Sequence, residues 1–168
     1  MERSRLLFVC LGNICRSPAA EGVFLHHLQL RGLEQSFSVD SAGTGNWHAG
    51  QPADARMRAA AAGRGIHLPS RARQIVVADL DQFDHILTMD DDNLAAVQAM
   101  SRGRRSRAQI RPITQHCRLH RVREVPDPYY GGADGFEGVL DLLEDACTGL
   151  LDDLLATGTP WKPSPSER

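Results

Sequence analysis

At 168 residues, 42% apolar and 24% charged, the chain is long enough for one domain with its own core. Its net charge of −2 argues against nucleic acid as the main partner, and no run of 18 apolar residues is present to span a membrane. Arg3 and Arg5 precede only a short apolar stretch rather than a signal peptide, and Cys10, Cys15, Cys117 and Cys147 lack CxxC spacing, so a reducing, cytoplasmic location is expected.

Leu6-Leu7-Phe8-Val9 is a short apolar run that reads as a buried strand, and Ser17 with Pro18 reads as the N-cap and first position of a helix. Ala20, Val23, Phe24, His27 and Leu28 make the apolar stripe of that helix, and Gly32 is placed to end it. Ser17 and Glu21 are one residue too far apart for a capping box. Phe37 to Asp40 reads as a second strand, Pro52 to Ala62 as an alanine-rich helix and Asp84 to Met89 as a third strand. Asp90-Asp91-Asp92 starts another helix, and Gln109 to Ile113 is a Pro-interrupted fourth strand. In the last helix Phe136, Val139, Leu140, Leu143, Ala146, Cys147, Leu150, Leu151 and Leu154 share one face. Strands alternating with helices predict an α/β fold of three layers, α/β/α, with a central parallel four-stranded sheet. Residues 1–156 are expected to form this single domain, and the Ser/Pro-rich stretch 157–168 a disordered tail. There is no internal repeat.

The segment Cys10-Leu11-Gly12-Asn13-Ile14-Cys15-Arg16-Ser17 hangs between the first strand and the first helix, where backbone N–H groups and the helix dipole favour an anion. Gly12 and Asn13 tolerate the left-handed backbone of a phosphate-cradling loop, and Leu11 to Ser17 are the expected phosphate-binding residues. Arg16 can hold two phosphoryl oxygens at once, and the same positive field favours the thiolate of Cys10 as a nucleophile. A lone cysteine ending an apolar strand is usually a packed core residue. An arginine five residues further on, across a Gly-Asn turn, inverts that reading. Asp127, held between Pro126 and Pro128, is either a simple turn residue or a carboxylic acid on a stiffened loop that serves as general acid and base.

The run Val9 to Pro18 with Ala20-Glu21 resembles the phosphate-binding loop of the low-molecular-weight protein tyrosine phosphatases. Further matches are Asp40-Ser41-Ala42-Gly43-Thr44, Trp47-His48, Pro52-Ala53-Asp54, Arg56, Arg71-Ala72-Arg73-Gln74, Met89-Asp90, Asn93 and Val125 to Gly131, so the resemblance spans roughly residues 5 to 156. It implies a phosphotyrosine phosphatase working through a phosphocysteine intermediate without a cofactor or metal. Cys10 would be the nucleophile, Arg16 would bind phosphate and transition state, and Asp127 would be the acid. Trp47, Tyr129 and Tyr130 would wall the substrate ring, Asn13, Ser17 and Ser41 would hold the loop, and Cys15 would be a redox partner for Cys10. Tyrosine-phosphorylated proteins would be the partners, while the oligomeric state stays open. The chain departs from the family where many relatives carry a histidine that supports the loop asparagine: Ser70 stands there, with His67 three residues earlier.

Three rivals stand beside this reading. Thiol-linked arsenate reductases share the loop but need a closely spaced cysteine pair, which Cys117 and Cys147 are not. Protein arginine phosphatases carry threonine where this chain has Ile14, and the apolar residue points to an aromatic substrate. An inactive phosphate-binding module would keep the cradle, yet both Cys10 and Asp127 are present. Arg102, Arg104, Arg105 and Arg107 read as a solvated loop rather than a run that steers an anionic partner, His116 and His120 with Cys117 between them as surface histidines of a basic connecting segment rather than a metal site, and Asp90 to Asp92 as acidic residues favoured by a helix N-terminus rather than a magnesium cluster.

Overall fold

The computed structural model describes residues 3–129 and 131–157. In chain order the elements are β1 (Ser4–Cys10), α1 (Arg16–Leu30), β2 (Phe37–Gly43), α2 (Ala55–Ala62), α3 (Asp79–Gln82), β3 (His85–Thr88), α4 (Asp91–Ser101), β4 (Gln109–Pro112), a 3-10 turn (Ile113–His116) and α5 (Ala133–Thr157). All strand pairs are parallel and the sheet order is β2-β1-β3-β4. The alternation of side chains along β1 divides the core in two. Leu6 and Phe8 face α1, α2 and α5, whereas Leu7 and Val9 pack with Leu80 of α3, Val97 of α4 and Ile75. The expected three-layer α/β/α arrangement is therefore the observed one. On the α1 side, Phe24 bridges Phe8 and Phe37, with ring centroids 5.9 and 5.6 Å away. No described helix is long and apolar enough to cross a membrane.

The chain adds β3 on the opposite side of β1 from β2, so the strand order reverses at β1. A crevice opens beyond the carboxyl ends of the strands at such a reversal, and the loop after Cys10 lies there.

Several boundaries differ from the sequence reading. Ser17 is not the N-cap of α1: the helix starts at Arg16, with Cys15 in the cap position and no side-chain cap. The serine hydroxyl is instead turned toward the cysteine sulfur, which leaves the first N–H groups of the helix to the loop. Pro18 falls in the first turn, where its missing N–H costs no intrahelical bond. The alanine-rich helix begins at Ala55, not Pro52, because Asp54 caps it through the Arg56 N–H at 2.8 Å. The one-turn α3 carried no periodic signal long enough to be read. Helix α5 runs through Thr157. Residues 158–168 of the expected tail lie outside the described residues.

His116 is not at the surface but 1% exposed. An arginine only donates hydrogen bonds, so the contacts of buried Arg111 fix two ring tautomers: Nε donates to His116 Nε2 at 2.8 Å, and Nη1 to His85 Nδ1 at 3.1 Å. His116 Nδ1–H then donates to Asp153 Oδ2 of α5 at 2.6 Å, tying β4 to the last helix. Burial, with the Arg111 cation adding to it, pushes His116 down to about 4 and His85 to about 3 from an ordinary 6.5. The folded protein cannot take up these protons between those values and 6.5, whereas the unfolded chain can. Stability should therefore fall as pH is lowered from 6.5, by roughly 1 kcal/mol per pH unit for each histidine. Urea unfolding at pH 7.0, 5.5 and 4.5 checks this, and a constant midpoint would contradict it.

Candidate active site

The Cys10–Arg16 loop owes its shape to bonds made on its outside. The carbonyls of Cys10, Leu11 and Ile14 accept from Thr44 N, Gly45 N and Asp54 N at 2.9, 2.9 and 2.8 Å. With the carbonyls held outward, the N–H groups of Gly12, Ile14 and Cys15 have no hydrogen-bond partner among the described residues. This is the arrangement of an anion-binding nest at a helix start. Asn13 supplies the required left-handed backbone, with φ of 57°. Gly43 lets β2 approach the loop: a Cβ there would stand 2.7 Å from the Leu11 carbonyl.

The Asn13 side chain is fully used. Its Oδ1 accepts from Arg73 N at 2.9 Å, so its Nδ2 must be the donor to Ser17 Oγ at 2.8 Å and Ser41 Oγ at 3.0 Å. Ser41 in turn donates to Glu21 Oε1 at 2.7 Å. Ser17, having accepted from Asn13, has its own hydrogen to give, and its nearest acceptor is Cys10 Sγ at 3.0 Å. The Asn13 N–H reaches the same sulfur at 3.3 Å. Two donors thus converge on Cys10, which is 2% exposed. Ser70 reaches the Glu21 carboxyl, and His67 is exposed elsewhere on α1's flank, so His67 does not take the place of the missing histidine. Burial raises the Glu21 carboxyl above its ordinary range despite the two serine hydroxyls.

Arg16 is 3% exposed and joins three segments. Its Nη1 donates to Asp90 Oδ2 at 2.6 Å and to the Val125 carbonyl at 3.1 Å, and its Nη2 stands 3.5 Å from Asp127 Oδ2. Val125 N bonds the Met89 carbonyl at the end of β3, which anchors the Pro126-Asp127-Pro128 loop beside the mouth of the site. Burial, reinforced by the Asp54 carboxylate, pushes the neighbouring Cys15 up to about 12. Cys15 is therefore held as a neutral thiol.

One cavity of about 320 Å³ collects these residues: Cys10, Leu11, Gly12, Ile14, Cys15 and Arg16 at its base, and Trp47, His48, Asp127 and Tyr129 around its mouth. Trp47 is 68% exposed, its indole laid across Gly45. His48 Nδ1–H donates to Gln51 Oε1 at 3.0 Å, and its ring centroid is 6.1 Å from that of Tyr129. All the expected site residues are gathered in or directly beneath this cavity except Tyr130, which lies outside the described residues. Four contributors had no role assigned from the sequence. The capping function of Asp90 was legible in its acidic run, but its grip on Arg16 was not, because 74 residues separate the two. Glu21, His48 and Arg73 likewise act through partners distant in sequence or through loop geometry.

Comparison with known proteins agrees with this geometry. The family model described as low molecular weight phosphotyrosine protein phosphatase matches residues 5–158. The chain is 42% identical over 149 residues to a low molecular weight protein-tyrosine-phosphatase of Streptomyces coelicolor, covering 88% of this chain and 91% of that one. Among solved structures it is similar to a protein tyrosine phosphatase from Entamoeba histolytica in a product-mimic state, with a TM-score of 0.86 and 42% identity over 91% of this chain and 96% of that one. It is also similar to the Drosophila arginine phosphatase DARP, with a TM-score of 0.82 and 31% identity over 88% and 95% of the two chains. A match that runs from the first strand to the end of the last helix places the chain in the low molecular weight phosphotyrosine protein phosphatase family.

Proposed function

We propose that the protein is a cytoplasmic phosphatase that hydrolyses phosphotyrosine in proteins through a phosphocysteine at Cys10. The observation that carries this reading is the convergence of the Cys10 sulfur, the free loop N–H groups, Arg16 and Asp127 on one cavity. Phosphoryl oxygens lie against the N–H groups and the Arg16 guanidinium while Cys10 attacks phosphorus, and the bond to the phenolic oxygen breaks. Asp127 protonates that oxygen as it leaves. In the second step the Asp127 carboxylate takes a proton from water, the water oxygen attacks phosphorus, and the S–P bond breaks to release phosphate and the thiolate. Leu11, Ile14, Trp47 and Tyr129 offer apolar surface to the departing ring, which supports an aryl ester over phosphoarginine. The experiment is turnover of phosphotyrosine, phosphoarginine, phosphoserine and arsenate side by side; preference for any but phosphotyrosine would overturn the assignment.

Asp127→Asn should slow hydrolysis of phenyl phosphates with poor leaving groups by about 10²–10⁴-fold while sparing activated nitrophenyl esters, because an acidic phenol leaves with little help. A uniform drop along the leaving-group series would remove Asp127 from this role.

Cys15 shares the loop with Cys10 and is buried, lining the same cavity. Peroxide oxidises the Cys10 thiolate to a sulfenic acid, and the Cys15 thiol then attacks that sulfur, expelling water and forming a disulfide that dithiothreitol reduces. Cys15→Ser should keep its activity but recover far less of it after peroxide and reductant than wild type. Equal recovery would leave Cys15 with packing alone.

A further inference from the structure

The edge of the sheet opposite Cys10 carries a second polar cavity. All four strands are parallel, so Arg3 and Arg5 at the start of β1, Ser38 at the start of β2 and Arg107 just before β4 share the N-terminal edge. Together they line a cavity of about 350 Å³. Arg5 and Ser38 are register partners and so point to the same face. Two of its arginines, Arg3 and Arg5, make no ion pair among the described residues. Arg3 Nη2 donates to a neutral acceptor, Gln35 Oε1, at 2.9 Å. The Arg5 guanidinium stands 5.3 Å from the Phe83 ring and makes no ion pair among the described residues. The Asp84 carboxylate accepts from the Arg5 backbone N–H at 2.8 Å and from Arg107 Nε at 2.7 Å. The guanidinium groups of Arg3 and Arg5 therefore line the cavity without an ion-pair partner among the described residues. The loop that delivers Arg107 also brings Arg102 and Arg105, which have no ion-pair partner among the described residues.

We propose that this cavity is a second phosphoryl-binding site, which holds a phosphorylated side chain of a protein segment without hydrolysing it. Eighteen of the nineteen basic residues in the chain are arginine, whose planar fork pairs two phosphoryl oxygens, and Ser38 adds a hydroxyl donor. Arginine clusters of this kind recognise phosphorylated segments. No cysteine lines the cavity, so no nucleophile meets the phosphorus. Phe83 is buried under Arg5 rather than offered as a stacking platform, which disfavours nucleic acid. A partner with two phosphorylated segments is thereby held at one end of the sheet while the other segment reaches Cys10, provided its linker spans the domain.

Fluorescence anisotropy of a labelled phosphoserine peptide on the Cys10→Ser protein, with excess phenylphosphonate filling the catalytic cavity, tests this. Binding should persist under phenylphosphonate, weaken with salt, and fall by at least about tenfold when the peptide is dephosphorylated or when Arg5→Ser is used, in line with loss of a charge-assisted pair. Arg3→Ser, at an exposed position, provides a second variant should Arg5→Ser fold poorly, and both should turn over aryl phosphates at the wild-type rate. Displacement by phenylphosphonate, equal binding of the unphosphorylated peptide or of a single-stranded oligonucleotide, an equal affinity for inorganic phosphate, or a less than twofold effect of both substitutions would overturn the proposal. None of these outcomes bears on the chemistry at Cys10, which the aryl phosphate assay reads separately.

Discussion

Cys10→Ser should lower turnover of an aryl phosphate by at least about 10⁴-fold, the scale on which loss of a covalent nucleophile is felt. The fold should survive. Serine is close in size, the position is 2% exposed, and the two donors that reach the sulfur, the Ser17 hydroxyl at 3.0 Å and the Asn13 N–H at 3.3 Å, can hydrogen-bond a hydroxyl instead. Phosphate and vanadate should still bind, because the outward-held carbonyls keep the Gly12, Ile14 and Cys15 N–H groups facing the anion. The measurement is single-turnover kinetics with trapping of phosphoenzyme in wild type, alongside a thermal melt of the variant. Appreciable steady-state activity in the variant would end the phosphocysteine mechanism, and loss of both phosphate binding and the melting transition would mean that the loop itself depends on the sulfur.

Arg16→Lys should cost about 10²–10³ in kcat, comparable to removing a donor that follows the charge of a transition state. The guanidinium is already committed on one nitrogen to Asp90 at 2.6 Å and the Val125 carbonyl at 3.1 Å, which sets its plane, and its other nitrogen points toward the mouth beside Asp127. A lysine ammonium retains the charge but has no second, rigidly placed nitrogen, so it can hold Asp90 or the phosphoryl group but not both. Vanadate affinity should fall with kcat, since vanadate mimics the five-coordinate phosphorus. A near-normal kcat would make Arg16 a structural ion pair only. Because Arg16 is nearly fully buried and faces two carboxylates, a melting temperature measured with the kinetics separates a lost transition-state contact from a loosened site.

The loop was legible in the sequence because its determinants are local. A strand end, a Gly-Asn turn, an arginine and a helix start within nine residues define an anion site whatever surrounds it, and Asn13 indeed takes the left-handed backbone. The sheet was legible too, since apolar runs and stripes are periodic signals. Ser17 shows where local reasoning misleads: its position before Pro18 suits a cap, yet the helix already begins at Arg16 and the hydroxyl turns to Cys10. His116 is a second case, since a polar residue in a basic segment reads as exposed until Arg111 and Asp153 are brought to either side of it.

What the sequence alone determined about this protein is therefore the chemistry of one loop, the α/β layering and the resemblance that named the acid and the aromatic walls. What only the tertiary structure decided is everything carried by contacts between distant segments: the hydrogen-bond chain from Glu21 through Ser41, Asn13 and Ser17 to Cys10, the grip of Asp90 on Arg16, and the meeting of Arg3, Arg5 and Arg107 at the far edge of the sheet. Hydrogen bonds and ion pairs depend on distance and angle over a few ångströms, and along the chain those partners lie up to about a hundred residues apart. Their juxtaposition follows from the parallel strand order β2-β1-β3-β4, which brings all the strand ends to one site and all the strand starts to the other.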